Sequence, residues 1–321
     1  MADIRPYIAS MRLRTVPLSL SGVILGTLLS YVYFDIHPSW MTLLFLGLTT
    51  VSLQILSNLS NELGDVLHGT DTEDRQGPQY GLNSGRMTIK AMRIEIGIFV
   101  VLTLVFGLSM IYFALGSLFT LRSFILLLLG IAAIRGAMHY TLGDNPYGYR
   151  GLGDLFVFIF FGLVSVTGAA FVVTKGDAFI YENFAWELFL PAVTIGLWSI
   201  GVLNVNNIRD MKTDAANRVT VAIKLGERRA KIYQTILIVL GWLAFTAFFI
   251  ITYRLAVLNG RLTSLSWYHF LWLLPLPLHI LHLSGVWKRH DRELDPMLPL
   301  LVMSTFLFAI LAGTSCLLLV R

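Results

Sequence analysis

The chain has 321 residues, of which 56% are hydrophobic and only 13% charged, and its mean hydropathy is +0.72. That leaves too little polar surface to coat a soluble globule, so the bilayer is the expected solvent. The net charge of +5 is explained by basic residues gathered between apolar runs on one side of a membrane, so no nucleic-acid partner is expected.

A membrane-spanning helix needs about 20 mostly apolar residues, and nine such runs follow one another, at 16–34, 40–62, 95–115, 119–141, 154–174, 186–207, 232–253, 267–287 and 297–320. The first is preceded by Arg5, Arg12 and Arg14 but has no small-residue cleavage site after Ser30, so it reads as a retained helix rather than a removed signal. Counting Lys and Arg on alternate sides places 18 with the amino terminus, 5 opposite and one, Arg135, inside a run. That bias predicts a cytoplasmic amino terminus. Cys316, the single cysteine, lies in the last run and reads as a buried small residue. His37, His269, His279, His282 and His290 have no paired metal-ligand spacing and read as packing or interfacial residues. Trp40, Trp186, Trp267 and Tyr268 fit aromatic belts. No linker divides the chain, so residues 1–321 read as one domain. The predicted fold is all-α, a polytopic bundle of nine transmembrane helices around a central cavity.

Two polar segments, 63–94 and 208–231, carry most of the available chemistry, and they echo each other. Asn61 and Asp65 are followed by Asp71 and Arg75, and Asn206 and Asp210 by Asp214 and Arg218, an N-x-x-x-D then D-x-x-x-R order. One copy follows the second run and the other the sixth, so two acidic clusters are expected to face one cavity. Residues i and i+4 share a helix face, so each Asn stands one turn from its Asp and presents hard oxygen ligands. Mg²⁺ takes such oxygens, and is usually held by one or two carboxylates together with substrate phosphates. The expected metal ligands are therefore Asn61, Asp65, Asp71, Asn206, Asp210 and Asp214. The cations Arg75, Arg209, Lys212 and Arg218 are expected to hold phosphate oxygens. A single charged cluster would be read as a solvated loop; the repeated order argues against that.

Taken together, the segment Asn58-Leu-Ser-Asn61-Glu-Leu-Gly-Asp65 through Asp71-Thr-Glu-Asp-Arg75-Gln-Gly77-Pro78, and the segment Asn206-Asn-Ile-Arg-Asp210 through Asp214-Ala-Ala-Asn-Arg218-Val-Thr220, resemble the two aspartate-rich motifs of the UbiA-type membrane prenyltransferases. The resemblance spans nearly the whole chain. Arg12-Leu-Arg14-Thr15-Val-Pro17 is similar to that family's amino-terminal signature, and the Tyr140-Thr141 to Tyr149-Arg-Gly151-Leu-Gly153-Asp154 stretch resembles the branch acting on 1,4-dihydroxy-2-naphthoate in menaquinone biosynthesis. The chain departs from the pattern at Glu62, His68, Asn217 and Asp154, where Asp, Lys, Gly and Glu are usual.

The resemblance implies a Mg²⁺-dependent enzyme of the bacterial inner membrane that moves a prenyl group from polyprenyl diphosphate to the naphthoate. Diphosphate and CO₂ leave, and a demethylmenaquinone results. Asp65, Asp71, Asp210 and Asp214 are implied as catalytic residues, Asn58 as a substrate contact, and Tyr140 and Tyr149 as contacts for the acceptor ring. An acceptor of the 4-hydroxybenzoate type is the nearest alternative. A transporter would also suit nine spans and a repeat, but its charges are expected near the midplane rather than at helix ends.

Overall fold

The computed structural model describes residues 3–34, 36–70, 77–179, 185–261 and 264–320. Among these, nine helical segments are long and apolar enough to cross a membrane, in the order and near the positions expected. The chain opens with a short helix α1 (Arg5–Ser10), breaks at Arg12, and enters α2 (Val16–Tyr33) with Pro17 in its first turn, where the missing N–H costs nothing. Helices α3 (Trp40–Leu67), α4 (Ile89–Leu115) and α5 (Leu121–His139) each start on a hydroxyl cap. Ser39, Thr88 and Thr120 accept hydrogen bonds from the amides of Thr42, Ala91 and Ser123.

The fifth span is not a continuous α-helix. It runs as α6 (Gly153–Val157), a π-helical stretch Phe158–Val164, and α7 (Ser165–Val173). After it come α8 (Phe189–Arg209), the short helices α9 (Met211–Asp214) and α10 (Val221–Leu225), then α11 (Glu227–Leu258), α12 (Leu276–Lys288) and α13 (Met297–Val320).

In lipid no hydrophobic drive pushes helices together, so close packing through small residues and internal hydrogen bonds must do so. A β-carbon added at Gly26 of α2 would fall 2.2 Å from the Val166 carbonyl oxygen of α7, and one at Gly162 would fall 2.6 Å from that of Ala192 in α8. Helices α2 with α13, α3 with α4, and α8 with α11 pack most extensively, and α2 also meets α3 and α7. Behind α8 an aromatic knot of Trp198, Trp242, Phe245 and Phe308 fills the core. Its polar atoms are satisfied within the bundle: Trp198 Nε1 donates to the Ile238 carbonyl at 3.2 Å, and Trp242 Nε1 to His279 Nδ1 at 2.9 Å. His279 and His282 are buried packing residues, as expected, and Cys316 is fully buried.

Candidate active site

Because α3 continues to Leu67, Asn61 and Asp65 both lie on helix, one turn apart, whereas α8 ends at Arg209 and leaves Asp210 as its C-terminal cap. Arg218 joins the two clusters. Its Nη1 lies 3.6 Å from Asp65 Oδ1, while Nη2 donates to Asp214. Tyr149 donates from its hydroxyl to Asp65 Oδ1 at 2.8 Å and accepts from Thr70 at 3.1 Å. Its carbonyl takes the amide of Val219 at 3.0 Å, which clasps the 147–151 turn to the second motif. Arg209, only 1% exposed, is held by both carboxylate oxygens of Asp210, at 2.9 and 2.6 Å, by Asn206 Oδ1 at 2.8 Å, and by Asp295 at 2.6 Å.

Of these groups Asp65 and Arg218 head a cavity of about 370 Å³, whereas the expected ligands Asp210 and Asp214 stand behind its lining, paired with Arg209 and Arg218. Asn58, Asn61, Asp65, Asn206, Asn207 and Arg218 line its polar end, and Leu46, Met110, Leu126, Phe160, Val164 and Val172 its apolar body. The π-helical stretch supplies Phe160, Phe161 and Val164 to one wall. π-bulges inside helices are frequent at functional sites.

Several expected site residues are placed differently from the sequence reading. Lys212 is turned to the surface on α9, where it pairs with Asp291 at 2.6 Å and does not reach the cavity. Arg209 is locked by carboxylates and positions Asp210. Tyr140 lines the cavity, but Tyr149 holds Asp65 from behind. Asn58 faces the cavity while its amide nitrogen donates to the Met11 carbonyl and Thr15, at 2.8 and 3.0 Å. Asp71 and Arg75 lie outside the described residues.

The four departures from the motif pattern hold the site together. Glu62 accepts from the amides of Leu82 and Asn83, at 2.7 and 3.3 Å, and pins the loop after the first motif. His68 Nδ1 bonds the Gly64 carbonyl at 2.9 Å and sets its ring edge-on to Tyr149. Asn217 donates to the Gly69 carbonyl at 3.0 Å, and Asp154 accepts from Tyr233 at 2.9 Å. Asn207 and Asp295 were not singled out in the sequence. Asn207 stands beside Asn206 and could have been suspected from the doubled Asn, whereas Asp295 becomes relevant only through contacts with Arg209, 86 residues away, and with Arg14.

The donor set suits Mg²⁺. Asn61 Oδ1 and Asn207 Oδ1 are buried, have no hydrogen-bond partner among the described residues, and belong to residues that line the cavity beside Asp65. Among the described residues no three carboxylates, histidines or cysteines gather closely enough to hold a metal alone, so phosphate oxygens and water would complete the shell. Burial is the main reason the Asp214 carboxyl is pushed up to about 6, with Arg218 opposing and Asp210 adding to it. A carboxylate that resists ionisation in this way gains from a nearby cation.

An apolar chamber inside the bundle of membrane-spanning helices, headed by the Asp65 carboxylate, free carboxamide oxygens and guanidinium groups, defines an integral membrane protein with an amphipathic cavity. Residues 20–305 match the UbiA prenyltransferase family, and the chain belongs to that family. It is 34% identical over 302 residues to 1,4-dihydroxy-2-naphthoate octaprenyltransferase of Haemophilus influenzae, covering 94% of this chain and 92% of that one. To the protein of the same name from Escherichia coli it is 36% identical over 295 residues, with 91% and 86% covered. Among solved structures, the apo UbiA homolog from Aeropyrum pernix K1 superposes with a TM-score of 0.62 at 16% identity, covering 95% and 97%. A UbiA homolog from Archaeoglobus fulgidus, bound to GPP and Mg²⁺, gives 0.55 at 13%, covering 94% and 99%. These two share the fold.

Proposed function

We propose that this protein, with Mg²⁺, transfers a polyprenyl group from polyprenyl diphosphate to 1,4-dihydroxy-2-naphthoate, releasing diphosphate and CO₂ and giving the hydroquinone form of a demethylmenaquinone. The observation that carries the reading is the meeting of Asn61 and Asp65 with Asn207 and Arg218 at the head of an apolar cavity, with Asp214 behind Arg218. The relatives' names supply the acceptor, and the metal in the Archaeoglobus fulgidus homolog is consistent with the donor set.

The allylic C–O bond breaks and its electron pair leaves with diphosphate. The ring carbon bearing the carboxyl group supplies the pair for the new C–C bond; the bond to the carboxyl then breaks, and its pair restores the ring as CO₂ departs. Bound Mg²⁺ supplies Lewis-acid charge to the leaving diphosphate. Asn61, Asp65 and Asn207 at the cavity, with Asp210 and Asp214 behind them, would hold it, and Asp71 and Arg75 are assigned to the same head group. Arg218 receives phosphate oxygens, and Tyr149 and Arg209 keep the carboxylates in place. The apolar body excludes water from the carbocation-like centre, and Phe160 and Phe161 offer it aromatic faces. The same proposal places the protein in a bacterial inner membrane with its amino terminus in the cytoplasm, from the 18-to-5 distribution of Lys and Arg.

The test is product mass. Purified protein in detergent receives Mg²⁺, a polyprenyl diphosphate, and either the naphthoate or 4-hydroxybenzoate. The decarboxylated, prenylated naphthalene is expected. Turnover of 4-hydroxybenzoate alone would move the acceptor, and no product from either would overturn the reading.

A further inference from the structure

Arg12 takes no part in the chemistry described so far, yet it lines the same cavity. It sits in the break between α1 and the turn Leu13–Thr15, with φ 47° and ψ 50°, a left-handed conformation that is unfavourable for any residue but glycine. The break is clamped from α3. Asn58 Nδ2 donates to the Met11 carbonyl at 2.8 Å and to Thr15 Oγ1 at 3.0 Å, and Gln54 Nε2 to the same hydroxyl at 3.1 Å. A residue held this firmly in a costly conformation has its side chain aimed by the fold.

The guanidinium carbon lies 4.2 Å from the centre of the Tyr80 ring, which backs the group without using its N–H donors. Nε and Nη2 are buried and have no hydrogen-bond partner among the described residues. These two nitrogens form one edge of the guanidinium fork, the edge that takes a carboxylate or phosphate through two parallel hydrogen bonds. Other arginines nearby have carboxylate partners: Arg14 has Asp295, with Tyr80 beside it, at 3.2 and 3.0 Å, Arg209 has Asp210 and Asp295, and Arg218 has Asp65 and Asp214, leaving only its Nε unmatched; Arg12 alone among them leaves a paired edge open. An unmatched buried donor pair is costly, so a missing anion is the economical explanation.

Two anions are available on the proposed function, the diphosphate and the acceptor's carboxylate. Asn58, which holds the Arg12 turn, precedes Asp65 by seven residues, roughly 10 Å along α3. The clamp on the Arg12 turn therefore lies about two helical turns along α3 from Asp65, the carboxylate at the head of the cavity. We propose that Arg12 binds the carboxylate of the acceptor through its Nε–Nη2 edge and so presents the carboxyl-bearing ring carbon to the prenyl donor. This inference rests on the function proposed above.

The test pairs a variant with a truncated acceptor. Arg12→Gln is expected to raise the KM for the naphthoate by roughly 10- to 100-fold, the size of a lost charge-assisted pair. The donor KM, inhibition by inorganic pyrophosphate, and inhibition by 1,4-dihydroxynaphthalene, which lacks the carboxylate, should stay unchanged. Arg12→Lys should recover only part of the loss, because an ammonium cannot offer parallel donors. If Arg12→Gln does not fold, Arg12→Gly, which suits the left-handed backbone, is read the same way. A shift in donor KM or pyrophosphate inhibition would assign the site to diphosphate and overturn the proposal. Equal weakening of the naphthoate and its truncated analogue would reduce Arg12 to a structural part. Failure of the unmodified enzyme to turn over the naphthoate would instead overturn the underlying function.

Discussion

At the scale of single residues, Asp65 and Asp210 occupy matching places in the two motifs but different surroundings, and their variants should part company. Asp65 accepts from Tyr149 and stands near Arg218, which keeps Asp214 as a second partner. Asp65→Asn should therefore lower turnover by about a thousandfold, by loss of a metal-directed charge, with little change in thermal unfolding in detergent. Asp210 neutralises the buried Arg209, so Asp210→Ala should abolish turnover and also cost about 3 kcal/mol of stability, read as a lowered Tm. Normal turnover in both variants would remove the metal assignment. The two tyrosines separate in the same way. Tyr149→Phe frees Asp65 from its hydroxyl and should lower kcat about tenfold while raising the Mg²⁺ requirement. Tyr140→Leu alters the cavity wall and should act on the acceptor KM. A Tyr149→Phe effect confined to the acceptor KM would return that residue to the ring-binding role expected from sequence.

At the scale of elements, the π-helical stretch Phe158–Val164 sets the cavity wall. Its extra residue per turn changes the direction in which Phe160, Phe161 and Val164 project, and it passes α8 at Gly162, where backbone meets backbone. A methyl group at Gly162 would lie 2.6 Å from the Ala192 oxygen and the Gly196 α-carbon. Gly162→Ala should thus cost about 1–3 kcal/mol by overpacking and reduce turnover by displacing the wall. Gly97→Ala on α4, where a β-carbon meets nothing within 4 Å, is the control and should leave both unchanged. An unaltered Tm and rate for Gly162→Ala would mean that α8 and the π-helical stretch adjust freely against each other.

For the molecule as a whole, the expected orientation puts the loop after α3 in the cytoplasm. Cys316 is fully buried, so a cysteine placed at the exposed Gln79 gives a reporter with little background. It should react with a membrane-impermeant maleimide only from the cytoplasmic side, and labelling solely from the other side would invert the topology. The spans and the repeated Asn, Asp and Arg positions were legible in sequence because length, hydropathy and one-turn spacing are local properties, and α3 and α8 present those residues by helical geometry alone. Which cation answers which carboxylate was not legible. Lys212 goes to Asp291 on the surface, Arg209 to Asp295, Arg218 to both motifs at once, and Tyr149 to Asp65 rather than to the cavity. The Lys212, Arg209 and Tyr149 pairings join residues 79 to 86 positions apart, and Arg218 reaches back still further along the chain to Asp65 through the packing of separate helices. The sequence by itself determined a helical membrane protein of many spans with two repeated Asn, Asp and Arg motifs. Only the tertiary structure decided which donors remain unmatched in the cavity, because a buried polar atom's partner is set by how the helices pack and not by its neighbours along the chain.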